Sequence, residues 1–422
     1  MARIVHRPIV DALLDRRDVP VLILEGARAV GKTTAVKHQL VNAAGYAYAT
    51  LADRATLGFA RQDPEGWLGR LARPAVIDEA QLLPELPLIV KELVDAQVEP
   101  ANQFVLTGSA SIGRTGLGGA DPLARRASRL TMWPLTPREV AGQSANLADS
   151  LLDGTARPGD YPAASAEALI SRLRYGGWPA YALRSGQISP ARLSERLAAD
   201  TAAVLATTVD PLLRANAAIA IEALDALVRA PGAIFNATRL AQLLGFDKRT
   251  IDRYMGVFRR LFLIHWLPNS ATAPTRQSHT RAKVHPVDAS LSVESLERAG
   301  VSLSDSREAF GQVLESYVVS QVVASLGWAR RAATASFWRD ASDRDAEVDL
   351  VLDARGGARV GVEVKAASRV TPADLRGLTA MRRARGLDFG YVVHTGHELR
   401  EVADQIWSLP VTALDNPAAF AA

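Results

Sequence analysis

The 422-residue chain contains no cysteine. Disulfides, thiolate zinc sites and a cysteine nucleophile are therefore excluded. Lysine is also scarce: of 49 basic residues only Lys32, Lys37, Lys91, Lys248, Lys283 and Lys365 are lysines. In a chain so biased towards arginine, each lysine invites inspection. Long apolar runs are missing too. Residues 19–24 are among the longest, far below the ~20 residues that span a bilayer. The start, Met1-Ala2-Arg3-Ile4-Val5-His6-Arg7, lacks the apolar stretch of a signal peptide. The expectation is a soluble, cytoplasmic protein with no membrane partner. Charge is nearly balanced, with a net +4, which permits nucleic-acid binding without arguing for it. The length suggests two to four domains, and the ordinary apolar and charged content excludes a disordered, collagenous or coiled-coil chain.

The first ~140 residues alternate short apolar runs with helical patterns, which is the signature of βαβ units. Residues 21–24, 75–77 and 104–106 are apolar without alternation and read as buried parallel strands. Helices are expected at 32–41 and 86–96. Between that first strand and helix stands Gly26-Ala27-Arg28-Ala29-Val30-Gly31-Lys32-Thr33, followed by Thr34. This is the P-loop pattern in the strand–turn–helix context it requires. Its glycines let the backbone wrap phosphates, and the helix adds its positive end. Lys32 is expected to reach the β- and γ-phosphates of ATP, and Thr33 to place its hydroxyl on Mg²⁺.

The second apolar strand runs into Asp78-Glu79. Asp78 is expected to hold the magnesium through water, and Glu79 to activate the attacking water. The alternative is a pair of surface acids. The third strand ends in Thr107-Gly108-Ser109, where Thr107 or Ser109 either senses the γ-phosphate or caps the next turn.

These motifs resemble a family of bacterial and archaeal AAA-type ATPases that carry a C-terminal domain of unassigned function. The chain keeps Gly26, Arg28, Val30, Gly31, Lys32, Thr33 and Thr34 of that family's P-loop, but has Ala27 and Ala29 where the family has Pro and Gln. Asp78-Glu79-Ala80-Gln81, Pro84 and Leu106-Thr107-Gly108-Ser109 also fit. The resemblance implies an arginine finger at Arg126, within Leu123-Ala124-Arg125-Arg126. A local ion pair is the alternative, and Arg114, Arg125 and Arg129 compete. A finger of that kind implies a homo-oligomer.

Residues 141–166 are rich in Ala, Ser, Gly, Asp and Pro and read as a linker or mobile loop. Residues 167–230 are helical in period. Residues 238–265 read as a helix, a glycine turn and a second helix, with Ile251, Tyr254, Met255, Phe258, Leu261 and Phe262 as its apolar stripe. Gly176-Gly177-Trp178-Pro179 and this helix–turn–helix also match the family, whose middle is winged-helix-like. Residues 231–265 carry Arg239, Lys248, Arg249, Arg253, Arg259 and Arg260 against Asp247 and Asp252. Such a surface suits DNA, or it is the solvated face of an interdomain module.

Near the C-terminus, Glu347-Val348-Asp349 lies on one expected strand and Glu363-Val364-Lys365 on the next. This arrangement resembles the core of restriction-endonuclease-like folds. It implies a second metal site at Glu315, Asp349, Glu363 and Lys365, with Arg339 nearby; the alternative is a structural ion cluster. On a strand Glu363 and Lys365 share a face, which would turn both towards Asp349. His394 and His397 read as turn residues, and the tryptophans are dispersed.

The expected architecture is α/β: a P-loop NTPase parallel-sheet core over 1–140, a linker and helical region over 141–230, a winged-helix-like module over 231–300, and an α/β restriction-endonuclease-like domain over 301–422. The expected function is Mg²⁺-dependent ATP hydrolysis coupled to the C-terminal modules, with DNA or a protein as partner. The alternative is a slow nucleotide switch with a protein-binding output and an inactive nuclease-like domain.

Overall fold

The computed structural model describes residues 3–96, 103–113, 121–207, 216–270, 282–340, 343 and 346–420. They form two compact units: Met1–Pro134 with Arg260–Phe262, and Leu135–Arg259 with Leu263–Ala422.

The first unit is built on a parallel sheet of five strands, β1 (Val21–Glu25), β2 (Ala47–Thr50), β3 (Ala75–Asp78), β4 (Phe104–Gly108) and β5 (Ala127–Thr131), in the order β2-β3-β4-β1-β5. Every residue of β1, β3 and β4 is buried, as expected of strands covered on both faces. The edge strands β2 and β5 are only half-buried. Their mixed composition contains no apolar run to mark them as strands. The helix after β1 spans Lys32–Ala35 and continues as π-helical turns over Val36–Asn42. Helix Leu86–Asp95 buries Leu86, Val90 and Val94, one residue per turn, against the sheet.

The second unit holds a sheet of seven strands: β6 (Gly159–Asp160), β9 (Ala333–Arg339), β10 (Glu347–Ala354), β11 (Arg359–Lys365), β12 (Phe389–His394), β13 (Glu398–Ala403) and β14 (Ile406–Pro410). Strands β7 (Ile264–Leu267) and β8 (Lys283–Pro286) form a separate antiparallel pair. Strands β9, β10 and β11 make an antiparallel meander, and β12 joins β11 in parallel after the crossover helix Arg376–Arg385. Leu350, Leu352, Val360 and Val362 face the buried side of helix Arg307–Leu326 (Val313, Leu314, Tyr317, Val318). Val348, Val351 and Val392 face Leu378 and Met381 of the crossover helix. A β-bulge between Val348 and Val351 shifts the register of β10 against β9. It falls on the segment that carries Asp349, where extra strand twist re-aims side chains.

Residues 141–166 are not a linker. Asn146 caps a helix, Leu147–Asp153, by accepting from the Asp149 N–H, and Gly154 ends it in a left-handed conformation (φ 68°). Leu147, Leu151 and Leu152 enter the core of the second unit, and β6 pairs with β13. Ser144, Arg157 and Asp160 are exposed, Asn146 and Asp149 are buried, with Asn146 donating to the Ser325 carbonyl at 2.8 Å, and the three leucines carry the packing. The helix–turn–helix appears as Ala237–Leu244, a left-handed Gly245 (φ 70°) and Lys248–Arg260. Of its expected stripe, Ile251, Tyr254, Met255 and Phe258 are buried within the second helix. Lys248, Arg249, Asp252 and Arg253 are exposed.

Candidate functional site

Because β1, β3 and β4 are parallel, their carboxyl ends meet at one edge of the sheet, and β4 separates the other two. Ligands bind at such edges in open α/β sheets. The P-loop leaves β1 there. Gly26 is required by space: a Cβ would lie 2.1 Å from the Met132 carbonyl oxygen. Gly31 opens the helix with φ 96°, a left-handed conformation that favours glycine. Ala27, Val30 and Lys32 are buried, Thr33 is half-buried, and Arg28, Ala29 and Thr34 face outward.

Lys32 Nζ donates to the carbonyl oxygens of Gly26 and Ala27, each at 2.8 Å. Burial lowers the Lys32 pKa to about 8 against the opposing pull of Glu79 and Asp78. Arg7 supports the loop from behind, donating to the Val30 carbonyl at 2.8 Å and to the Trp133 carbonyl at 2.6 Å. Nothing in the local sequence around Arg7 signals this role, because its partners lie 23 and 126 residues away.

Asp78 is the hub. Its Oδ2 accepts from Thr33 Oγ1 at 2.8 Å and from Tyr48 Oη at 2.9 Å, and its Oδ1 accepts from Thr107 Oγ1. Asp78 is only 2% exposed, so the three hydroxyls supply the hydrogen bonds that a buried carboxylate needs. Tyr48 comes from edge strand β2 and was not foreseen as a site residue. Burial, then the Asp78 charge, raises its phenol pKa well above the ordinary value. Glu79 follows in a left-handed backbone conformation (φ 56°) rare for a non-glycine residue. Its carboxylate accepts from Ser109 Oγ at 3.1 Å and from Gln81, and Gln81 Nε2 also donates to Ser109 at 3.0 Å. Thr107 thus serves Asp78 and Ser109 serves Glu79. The arrangement fits a magnesium nucleotide: Thr33 and Asp78 present hydroxyl and carboxylate oxygen together, with Lys32 on the same loop.

Arg126 is elsewhere. Its carbonyl accepts from the Val21 N–H at 3.2 Å, which puts it beside the first residue of β1, at the opposite edge of the sheet from the P-loop. Asp95 holds its guanidinium, with Nη2 donating at 2.9 Å. Arg129 pairs with Glu25 and Asp121. Arg125 adopts a left-handed conformation. Arg114 lies outside the described residues. Only a second copy of the chain could receive Arg126 as a finger.

Residues 18–141 match the model of an AAA domain. Over these residues the N-terminal unit is similar to AAA domains. Residues 166–301 and 310–414 match two domains of unknown function, DUF8612 and DUF4143. Uncharacterized proteins of Mycobacterium bovis and Mycobacterium tuberculosis are each 27% identical over 410 residues, covering 94% of this chain and 84% of theirs. Two variants of Thermotoga maritima RuvB align with 70% of this chain and 91% of theirs at 16% identity. Their TM-score is 0.30. Among the described residues no helix is long and apolar enough to cross a membrane.

The C-terminal acids gather around a residue that the sequence did not single out for this role. Lys283 Nζ, on β8, lies 2.8 Å from Glu315 Oε1, 2.5 Å from Glu347 Oε1 and 2.8 Å from Asp349 Oδ1. Asp349 Oδ2 accepts the Val364 N–H at 2.9 Å. Glu347 also pairs with Arg339. Glu363 and Lys365 do share a face and pair at 2.6 Å, but the hydrogen bonds of Asp349 run to Lys283 and Val364 instead. Burial would discharge Lys283, but Asp349, Glu315 and Glu347 outweigh it and keep its pKa well above the ordinary value. Burial and Asp349 push Glu315 up to about 8. The same two causes raise Glu363 well above the carboxylate range. His394 lies on β12, and among the described residues no group of three or more His, Asp or Glu has the arrangement of a metal site.

Proposed function

We propose that the protein is a Mg²⁺-dependent ATPase whose nucleotide state is relayed to its C-terminal modules. The observation that carries this reading is the 2.8 Å hydrogen bond from Thr33 Oγ1 to Asp78 Oδ2. It joins the P-loop hydroxyl to the strand-end carboxylate at the sheet edge where the resemblance requires both. Thr33 and Asp78 would hold the magnesium, which supplies charge neutralisation on the transferring phosphoryl group. Lys32 would leave its loop carbonyls for the phosphate oxygens. Glu79 would take the proton of the attacking water, and Ser109 and Gln81 orient that carboxylate before substrate arrives. The AAA domain match over 18–141 supports the ATPase class.

The test is Glu79→Gln. It should bind ATP as the native chain does and lose hydrolysis by about 10²- to 10⁴-fold, the usual contribution of a general base. Hydrolysis at the native rate in that variant would reject the assignment.

A nuclease-like fold for the C-terminal part is supported by its helix, three-strand meander, crossover helix and parallel strand. The helix–turn–helix followed by the β7–β8 pair supports a winged-helix reading, and exposed Arg249 and Arg253 suit a phosphate backbone. Fold alone assigns no activity. What occupies the acid cluster favours one element of the alternative, an inactive nuclease-like domain.

A further inference from the structure

A restriction-endonuclease-like fold implies a divalent metal among Glu315, Asp349 and Glu363. The donor set does not fit one. An ammonium has three N–H donors and no acceptor, and Lys283 Nζ has three carboxylate oxygens within 2.8 Å, from Glu315, Glu347 and Asp349. Its side chain is 4% exposed and its Nζ lies 5.9 Å from the centre of the Phe337 ring, so the ammonium is held inside the fold and depends on these carboxylates for its hydrogen bonds. The remaining oxygen of Asp349 accepts the Val364 amide, and Glu363 pairs with Lys365 through Oε1, which leaves Glu363 Oε2 as a single buried oxygen without a hydrogen bond, too few donors for a divalent ion. A divalent ion among these oxygens would face a buried like charge at contact range, and it would strip Lys283 of all three partners.

The lysine does not come from the nuclease-like sheet. It is supplied by β8, which pairs with β7 and, through Lys283 itself, bridges to Ile234. On the same strand His285 reaches Ser316 at 2.8 Å, next to Glu315 on the long helix. Gly232 approaches so closely that a Cβ there would lie 2.8 Å from Glu315 Oε1. The β7–β8 pair is thus tied to the acid cluster by the Lys283 charge and to the long helix by the His285–Ser316 hydrogen bond. A lysine suits this position better than the arginine that the chain otherwise prefers. Its compact ammonium meets three converging carboxylates, whereas a planar guanidinium fork matches one or two.

We infer that the Lys283 ammonium is the resident cation of this carboxylate cluster, so that the cluster binds no divalent metal and its acids clamp the β7–β8 pair. Metal-dependent strand cleavage then has no site in this cluster.

The test uses the full chain without nucleotide, with Asp78→Asn throughout to silence the other acidic site. Mn²⁺ binding is followed by electron paramagnetic resonance and by melting temperature. With Lys283 present, Mn²⁺ should neither bind nor raise the melting temperature, and adding Asp349→Asn should not change that. Lys283→Met should lower the melting temperature, recover several degrees with millimolar Mn²⁺, and lose that recovery when Asp349→Asn is added. Mn²⁺ uptake by the Lys283-containing protein that disappears in Asp349→Asn would overturn the inference. So would a folded Lys283→Met protein indifferent to Mn²⁺. Should Lys283→Met fail to fold, the Lys283-containing arm decides alone. Because every arm is nucleotide-free, a failure of ATP hydrolysis leaves the outcome standing.

Discussion

Lys32 is the most direct handle on the nucleotide site, because its charge can be titrated without mutation. Burial lowers its pKa from 10.5 to about 8 in the nucleotide-free protein. A triphosphate binds the charged form and raises that pKa again. The fraction charged falls from about nine in ten at pH 7 to about one in ten at pH 9, so affinity should drop about tenfold, or about 1.4 kcal/mol. Titration calorimetry with a non-hydrolysable ATP analogue and Mg²⁺ at pH 7, 8 and 9 measures this directly. Repeating pH 8 in two buffers of different protonation enthalpy should reveal uptake of about half a proton. Lys32→Arg, whose guanidinium stays charged, should bind with no such slope. The sign for stability is opposite. Unfolded chain binds more protons than folded between pH 8 and 10.5, so this group's contribution to the stability of the empty protein rises with pH across that window. Flat affinity from pH 7 to 9, with no proton uptake, would refute a buried P-loop lysine.

Two further expectations follow from packing. Leu151 is fully buried in the core of the second unit, so Leu151→Ala should cost about 2–5 kcal/mol in denaturant unfolding; a surface-like change below about 0.5 kcal/mol would return residues 141–166 to the status of a linker. Gly26→Ala places a methyl group 2.1 Å from the Met132 carbonyl. It should lower the melting temperature and weaken nucleotide binding together, and native affinity in that variant would show that the loop does not depend on this close approach.

Some of the protein was legible because its information is local. The P-loop is contiguous, its glycines answer to backbone geometry, and β1, β3 and β4 are apolar on both faces, so composition alone marks them. Asp78 and Glu79 stand out in the sequence because they follow directly on such an apolar run, and helix Leu86–Asp95 because its buried residues recur every turn. Edge strands β2 and β5 were missed for the converse reason: with one side open they need no apolar run. Tyr48 went unnoticed along with β2.

What only the tertiary structure decided is which charges meet. The sequence marked Glu315, Asp349, Glu363 and Lys365, but the ammonium at the centre of the cluster arrives from 66 residues before Asp349, on a strand of a different module. Arg126 shows the same limit, since its neighbours in sequence say nothing about Asp95 or about which edge of the sheet it occupies. Local backbone and burial preferences are written along the chain, residue by residue. Electrostatic partnership depends on distance in space, which is set only when the sheets and helices pack.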